Sequence, residues 1–246
     1  MRYKITLSYD GTDFCGWQRQ PSGNSIQDAV ETAAEKLFGQ KVSVVGSGRT
    51  DAGVHAVAQV AHFDADKVLP EKNIVGGLNA YLPRTVRVNR AETVADGFDA
   101  RKSAKQKTYM YLMYVGEVLP ILNDRAICLN KEPDILRMNT CAHELVGKHD
   151  FSTFMAAGGG AKTFTRTVFD AHFERDGRFI KFFITADGFL YNMVRIITAQ
   201  LIKAGMGDDV NIAELLEKRD RSYAKELAPA CGLYLYSVKY GTDEND

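Results

Sequence analysis

The chain has 246 residues, 45% hydrophobic and 25% charged, with 31 basic side chains balanced by 31 acidic ones. This is ordinary globular composition, long enough for one large domain or two small ones. With no run of about 18 apolar residues, no membrane-spanning helix is expected. The opening MRYKITLSYDG alternates like a strand and lacks the apolar stretch of a secretion signal, which predicts a cytoplasmic protein.

Cys15, Cys128, Cys141 and Cys231 are scattered, with neither CxxC spacing nor a nearby histidine pattern. They read as small apolar residues rather than zinc ligands or a disulfide scaffold. A net charge of zero argues on its face against nucleic acid, but the charges are unevenly spread. No acid occurs between Ala100 and Gly116, a stretch holding Arg101, Lys102, Lys105 and Lys107, nor from Phe151 to Phe169, which holds Lys162 and Arg166. Acids gather instead at the tail, in Asp243, Glu244 and Asp246. A basic face and ordinary solvated charge both fit this distribution.

In chain order, residues 2–9 alternate with period two and predict a strand. A helix follows from Ile26, with Ile26, Ala29, Val30, Ala33 and Leu37 at helical spacing, Ser25 as N-cap, Asp28 in the first turn and Gly39 at the end. Residues 41–45 and 57–64 read as strands, 70–82 as a helix and 86–94 as a strand. The second half offers a strand at 107–115 and a helix within 133–147. A hairpin turning at Asp176-Gly177 follows, then an apolar helix ending at Gly205, a short helix near 211–219 and a strand at 233–240. The expectation is an α+β fold of two ferredoxin-like halves, 1–104 carrying the reactive loop and 105–246 following. The two would form a continuous, mostly antiparallel sheet with helices on one face and a central RNA-binding cleft. Only the last few residues read as disordered.

The most informative stretch is GSGRTDAGVHA, Gly46 to Ala56. It joins two strands that read as paired, yet it exceeds the two to five residues of a usual hairpin loop. Long loops on compact scaffolds carry function more often than short ones. Arg49 stands two residues before Asp51, and a neighbouring cation favours the ionised carboxylate, which can serve as nucleophile or base. The alternative is a plain turn at Asp51-Ala52-Gly53. GSGRTD lacks the third glycine of a dinucleotide fingerprint, and Gly158-Gly159-Gly160 lacks Walker spacing. His55 and His62 read as structural. Ser47 with a histidine and Asp51 can be drawn as a hydrolase triad, but nothing resembling a nucleophile elbow supports it, and a hydrolase using Asp51 and His55 is the more distant alternative.

Arg195 interrupts an apolar run, Met193-Val194-Arg195-Ile196-Ile197, so its guanidinium either snorkels to water or pairs with a carboxylate; Asp51 is the best candidate. Tyr109 and Tyr111 share one strand face after the basic stretch and make a candidate stacking platform for an exposed base.

These residues carry a resemblance. GSGRTDAGVHA, YDGTDFCGWQRQP (Tyr9 to Pro21) with Ser25-Ile26-Gln27, Phe98-Asp99-Ala100-Arg101 leading to Lys107-Thr108-Tyr109, Gly147 to Ser152, DGFLYNMVR (Asp187 to Arg195) and GLYLYSVKY (Gly232 to Tyr240) all resemble the TruA-type tRNA pseudouridine synthases, in family order along essentially the whole chain. The resemblance implies conversion of uridine to pseudouridine at positions 38, 39 and 40 of the tRNA anticodon arm, by a homodimer needing neither cofactor nor metal. It implies Asp51 as nucleophile, Arg195 as its ion-pair partner, Tyr109 stacked on the target base and Arg49 assisting its extrusion. Leu233 or Leu235 would form an apolar wall, with Arg101 and Lys107 among the RNA-binding residues. Asp99 stands where members often have histidine, Met110 replaces a frequent arginine, and Lys102, Lys105, Gln106 and Lys107 replace an arginine-rich run. A non-catalytic RNA-binding module of the same fold is the alternative.

Overall fold

A computed structural model of the chain describes residues 1–21 and 23–241; the acidic tail lies outside them. The described residues form an α+β protein of ten strands and five α-helices. They divide into two compact units, Met1–Lys105 with the described residues from Tyr234 onward, and Gln106–Leu233.

The first unit begins with β1 (Arg2–Tyr9), α1 (Ile26–Phe38), β2 (Val45–Gly46), β3 (His55–Asp64), α2 (Glu71–Tyr81) and β4 (Val86–Val94). β1 pairs antiparallel with both β3 and β4, and β2 pairs antiparallel with β3. The resulting order β4-β1-β3-β2, threaded βαββαβ, is that of a ferredoxin-like fold. Alternation along β1 buries Tyr3, Ile5, Leu7 and Tyr9. α1 opens where Ser25 accepts a hydrogen bond from the Asp28 amide and closes at Gly39, φ +72°. Its apolar face contributes Ile26, Val30, Ala33, Ala34 and Phe38 to the core. The Phe38 ring packs against Tyr3 and Phe63, at centroid distances of 5.8 and 5.6 Å.

One expected strand is nearly absent. Residues 41–44 keep the buried–exposed alternation, with Val42 and Val44 inside, but only Val45 and Gly46 enter a ladder. The Val44 amide donates instead to Glu31 Oε1 (2.9 Å), and its carbonyl accepts from Gln27 Nε2 (3.1 Å). Side chains of α1 thus satisfy backbone groups that a strand would otherwise pair.

The second unit contains β5 (Gln106–Val115), β6 (Ile127–Leu129), α3 (Ile135–His143), β7 (Gly147–Asp150), β8 (Thr165–Asp176), β9 (Phe179–Ala186), α4 (Met193–Gly205) and α5 (Ile212–Lys218). β9 lies antiparallel between β5 and β8, β7 pairs with β8, and the short β6 runs parallel to β5. Asp176 faces Phe179, so the hairpin loop is Gly177-Arg178, one residue later than expected. Gly177 takes φ +57° at the first central position, a left-handed backbone conformation that gives the turn a twist matching the right-handed twist of the flanking strands. β9 buries Ile180, Phe182, Ile184 and Ala186, and α4 adds Ile196, Ile197 and Leu201.

β10 (Leu233–Lys239) returns the chain to the first unit, pairing parallel with β3 through Tyr234 opposite His55 and Leu235 opposite Ala56. The expected halves, 1–104 and 105–246, differ from the compact units here: the last strand completes the unit that the chain had left at Lys105.

Glu31 is 7% exposed, receives the Val44 and Gln27 donors and pairs with Arg19. Glu31→Ala strands a buried amide and is expected to cost about 1–3 kcal/mol in urea unfolding, whereas Glu31→Gln, which retains an acceptor, should cost less. Equal stability of Glu31→Ala and the parent would contradict this account of the 41–44 segment.

Candidate active site

The Gly46–Ala56 loop is seated on the segment that follows β1. The Trp17 amide donates to the Thr50 carbonyl (2.9 Å). Gly16, at φ +102°, lies so close that an added Cβ would sit 2.6 Å from the same oxygen. Gly11 meets the Val54 backbone and Gly46 meets the Trp17 indole with equally little space for a side chain. Each contact brings main chain against main chain or against a ring, which only glycine permits. Two segments far apart in sequence are thereby locked face to face.

A buried polar chain reinforces the seat. Ser47 and Gln59 are wholly buried and Thr50 nearly so. Ser47 Oγ donates to Gln59 Oε1 (2.7 Å), and Gln59 Nε2 donates to the Gly48 carbonyl (2.9 Å). The Tyr9 hydroxyl bonds Thr50 Oγ1 (2.8 Å), and burial pushes its pKa up to about 12, so it stays protonated. At the far end the Val54 amide donates to the Asp51 carbonyl (3.1 Å), closing a turn in which Gly53 takes φ +76°. The turn reading of Asp51-Ala52-Gly53 is therefore correct for the backbone. Asp51 stands at the first position of that turn and is intermediate in exposure. Turn and reactive group are compatible readings of the same residue.

The two histidines occupy structural positions. His55 is 2% exposed, stacks on Tyr234 at 4.7 Å and accepts at Nδ1 from the Gly11 amide (3.0 Å). Because Nδ1 is an acceptor there, the nearby Asp10 carboxylate at 3.3 Å is a neighbour rather than a full ion-pair partner in that tautomer. His62 Nδ1 accepts from the Ala100 amide (3.0 Å). Burial, and then the charge of Arg2, holds its pKa below the ordinary histidine value.

Arg49 is exposed, and its Nε donates to Gln18 Oε1 (3.1 Å). Arg49 and Arg101 both line a recess of about 170 Å³ bounded by Trp17, Gln18, Val45 and Gly48. Two guanidinium groups and adjacent backbone suit an anion such as a phosphate. Lys107, by contrast, lies on β5 opposite Ala186 in the second unit.

Arg195 sits in the first turn of α4. Its Nε donates to the Ala228 carbonyl (2.8 Å) and its Nη1 to Asn192 Oδ1 (3.1 Å). Asn192 adopts the left-handed conformation, φ +60°, immediately before the helix. The guanidinium is thus held from two sides. Tyr109 is 8% exposed and meets Phe189 edge-to-face at 5.1 Å. Tyr111 departs from the expected platform. It is fully buried, donates to the Pro229 carbonyl (2.7 Å) and has Gly232 packed on its ring, so no face is left for a base. Leu233 and Leu235 are both buried, Leu235 completely.

Gln59, Gln18 and Asn192 were not singled out from sequence. Gln59 did carry a signal, as a polar residue in the apolar VAQVAHF run that demands a buried partner. Among the described residues no group of three or more His, Cys, Asp or Glu is placed to hold a metal ion, and no helix is long and apolar enough to cross a membrane.

Comparison with known proteins draws these features together. A family model described as tRNA pseudouridine synthase matches residues 5–101 and 141–241. "tRNA pseudouridine synthase A 2" of Clostridium perfringens is 42% identical over 96% of this chain and 98% of that protein. "tRNA pseudouridine synthase A" of Acetivibrio thermocellus is 40% identical over the same shares. The protein of that name from Limosilactobacillus reuteri is 41% identical over 100% of this chain and 99% of its own. Among solved structures, a Cbf5-Nop10-Gar1 complex overlaps 81% of this chain and 45% of that one, with 15% identity and a TM-score of 0.33, too loosely to carry an argument. Matches of this extent and identity, spanning the glycine-seated loop and the arginine of α4 alike, show that the chain belongs to the tRNA pseudouridine synthase family.

Proposed function

We propose that this chain isomerises uridine to pseudouridine at positions 38, 39 and 40 in the anticodon arm of tRNA, with the Asp51 carboxylate as nucleophile and Arg195 as the cation that keeps it charged. The observation that supports this most strongly is the full-length family match combined with a carboxylate borne, partly exposed, on a loop that is immobilised at both ends.

The reaction breaks the bond between ribose C1′ and uracil N1, turns the base, and joins C1′ to C5. The C5 proton is lost and N1 gains one, so atoms and electrons balance without redox chemistry. Asp51 is suited to the transfer whether it attacks ribose, attacks the ring or removes a ribose proton, since each role needs the ionised form. A carboxylate enclosed with substrate tends to take up a proton unless a cation opposes this. A guanidinium is the appropriate cation because it cannot itself deprotonate. Extruding the base costs a few kcal/mol, and stacking on Tyr109 returns about 1–3 kcal/mol of that. Arg49 would assist the extrusion from the RNA backbone, Arg101 and Lys107 would meet phosphate oxygens, and of the two leucines Leu233 would supply the apolar wall, since Leu235 is wholly enclosed in the core. The family resemblance further supports a cytoplasmic homodimer that requires neither metal nor cofactor.

Asp51→Asn is expected to fold, to bind tRNA with near-parental affinity and to abolish tritium release from tRNA carrying 5-tritiated uridine. Turnover by that variant would refute the assigned role, and inactivity of the parent would favour a non-catalytic RNA-binding module. Tyr109→Leu, which keeps an apolar side chain but removes the ring, should weaken productive binding by roughly 1–3 kcal/mol in kcat/KM, while Tyr109→Phe keeps most activity. Parental kinetics for Tyr109→Leu would count against stacking.

A further inference from the structure

Arg49 is held by the last member of a chain of side-chain amides whose polarity is set from its far end. Glu31 Oε1 accepts from Gln27 Nε2 (3.0 Å), and the Val44 carbonyl accepts from the same nitrogen (3.1 Å). Both partners are acceptors, so Gln27 must turn its amide nitrogen toward them and its oxygen away. Gln27 Oε1 then accepts from the Arg19 amide (3.0 Å) and from Gln18 Nε2 (2.9 Å). That leaves Gln18 Oε1 as the only polar atom its side chain can offer to Arg49 Nε, at 3.1 Å. A buried anion on α1 therefore determines which end of an amide two residues removed faces the loop arginine.

We propose that Gln18 is a positioning residue for the isomerisation, fixing the plane of the Arg49 guanidinium so that its Nη groups are directed at the substrate backbone beside the recess shared with Arg101. This rests on the reading of Arg49 as an RNA contact. Geometry favours the role. Gln18 engages Nε, which leaves the two Nη groups, the fork that matches a phosphate. The segment carrying Gln18 is itself anchored one residue earlier, where the Trp17 amide bonds the Thr50 carbonyl next to Arg49. Both ends of the Gln18–Arg49 contact therefore belong to one rigid seat. An arginine side chain without such a bond samples many rotamers and loses much of their entropy on each encounter with substrate.

The test is a double-mutant cycle read by single-turnover pseudouridine formation on a tRNA transcript at saturating enzyme. The variants are Gln18→Leu, Arg49→Ala and the pair. Gln18→Leu should slow the reaction about tenfold, the scale of one hydrogen bond to a charged group, with tRNA affinity and thermal midpoint near parental. In the Arg49→Ala background it should cost nothing further. A parental rate for Gln18→Leu beside a slowed Arg49→Ala overturns the positioning role alone. Multiplying effects also overturn it, because they mean that Gln18 acts independently of Arg49. A parental rate for Arg49→Ala overturns the underlying reading of Arg49, and the positioning role with it.

Discussion

Two backbone segments in this protein approach each other more closely than any side chain allows, and the reactive loop owes its shape to that contact. Gly11 and Gly16 on one segment and Gly46 on the other remove the atoms that would keep them apart. The Trp17 amide then donates to the Thr50 carbonyl, and Tyr9, Ser47, Thr50 and Gln59 fill the space beneath with mutually satisfied polar groups. A loop of this length without such a seat would be mobile, and under the proposed reaction each excursion would carry Asp51 away from a substrate that it would have to meet within a fraction of an ångström. The interlock converts a flexible hairpin connection into a rigid mount for one carboxylate.

In the proposed reaction, rigidity and charge are separate requirements that fall to residues far apart in the chain. The first unit supplies the carboxylate, the fixed turn beneath it and the arginines of the recess. In the second unit, the Ala228 carbonyl and the Asn192 side chain restrain Arg195 in the first turn of α4. Those two bonds orient a long side chain before any substrate arrives and reduce the entropy lost on binding. The left-handed backbone at Asn192 has its explanation here, since it starts the helix at Met193 and brings the Asn192 amide oxygen within reach of Nη1.

Much of this was legible in the residues. Periodicity located β1, α1, α2, β4 and the β8–β9 hairpin to within a residue or two, because local pattern and tertiary environment agree there. It failed at 41–44, where alternation is real but the hydrogen-bond partners are the side chains of Gln27 and Glu31 rather than a neighbouring strand. Alternation also placed Tyr109 and Tyr111 on one face correctly. It could not reveal that Pro229 and Gly232, more than a hundred residues away, close over Tyr111. Asp51 was readable as both a turn residue and a reactive group, and the structure has it in the turn. What stayed hidden was long-range: Gln59 under the loop, Gln18 against Arg49 and Ala228 against Arg195. Each is a polar contact between segments whose proximity no local spacing encodes.

The interlock is tested most directly at Gly16, where both a positive φ and a main-chain neighbour exclude a side chain. The decisive measurement is the single-turnover rate of pseudouridine formation by Gly16→Ala, made on protein whose far-ultraviolet dichroism matches the parent. A methyl group there must push the Thr50 carbonyl outward and move the adjoining carboxylate, and a 1 Å displacement of a reacting group costs on the order of a hundredfold in rate. The account predicts a loss of about that size with the fold intact. A folded Gly16→Ala protein that modifies tRNA at the parental rate would contradict it.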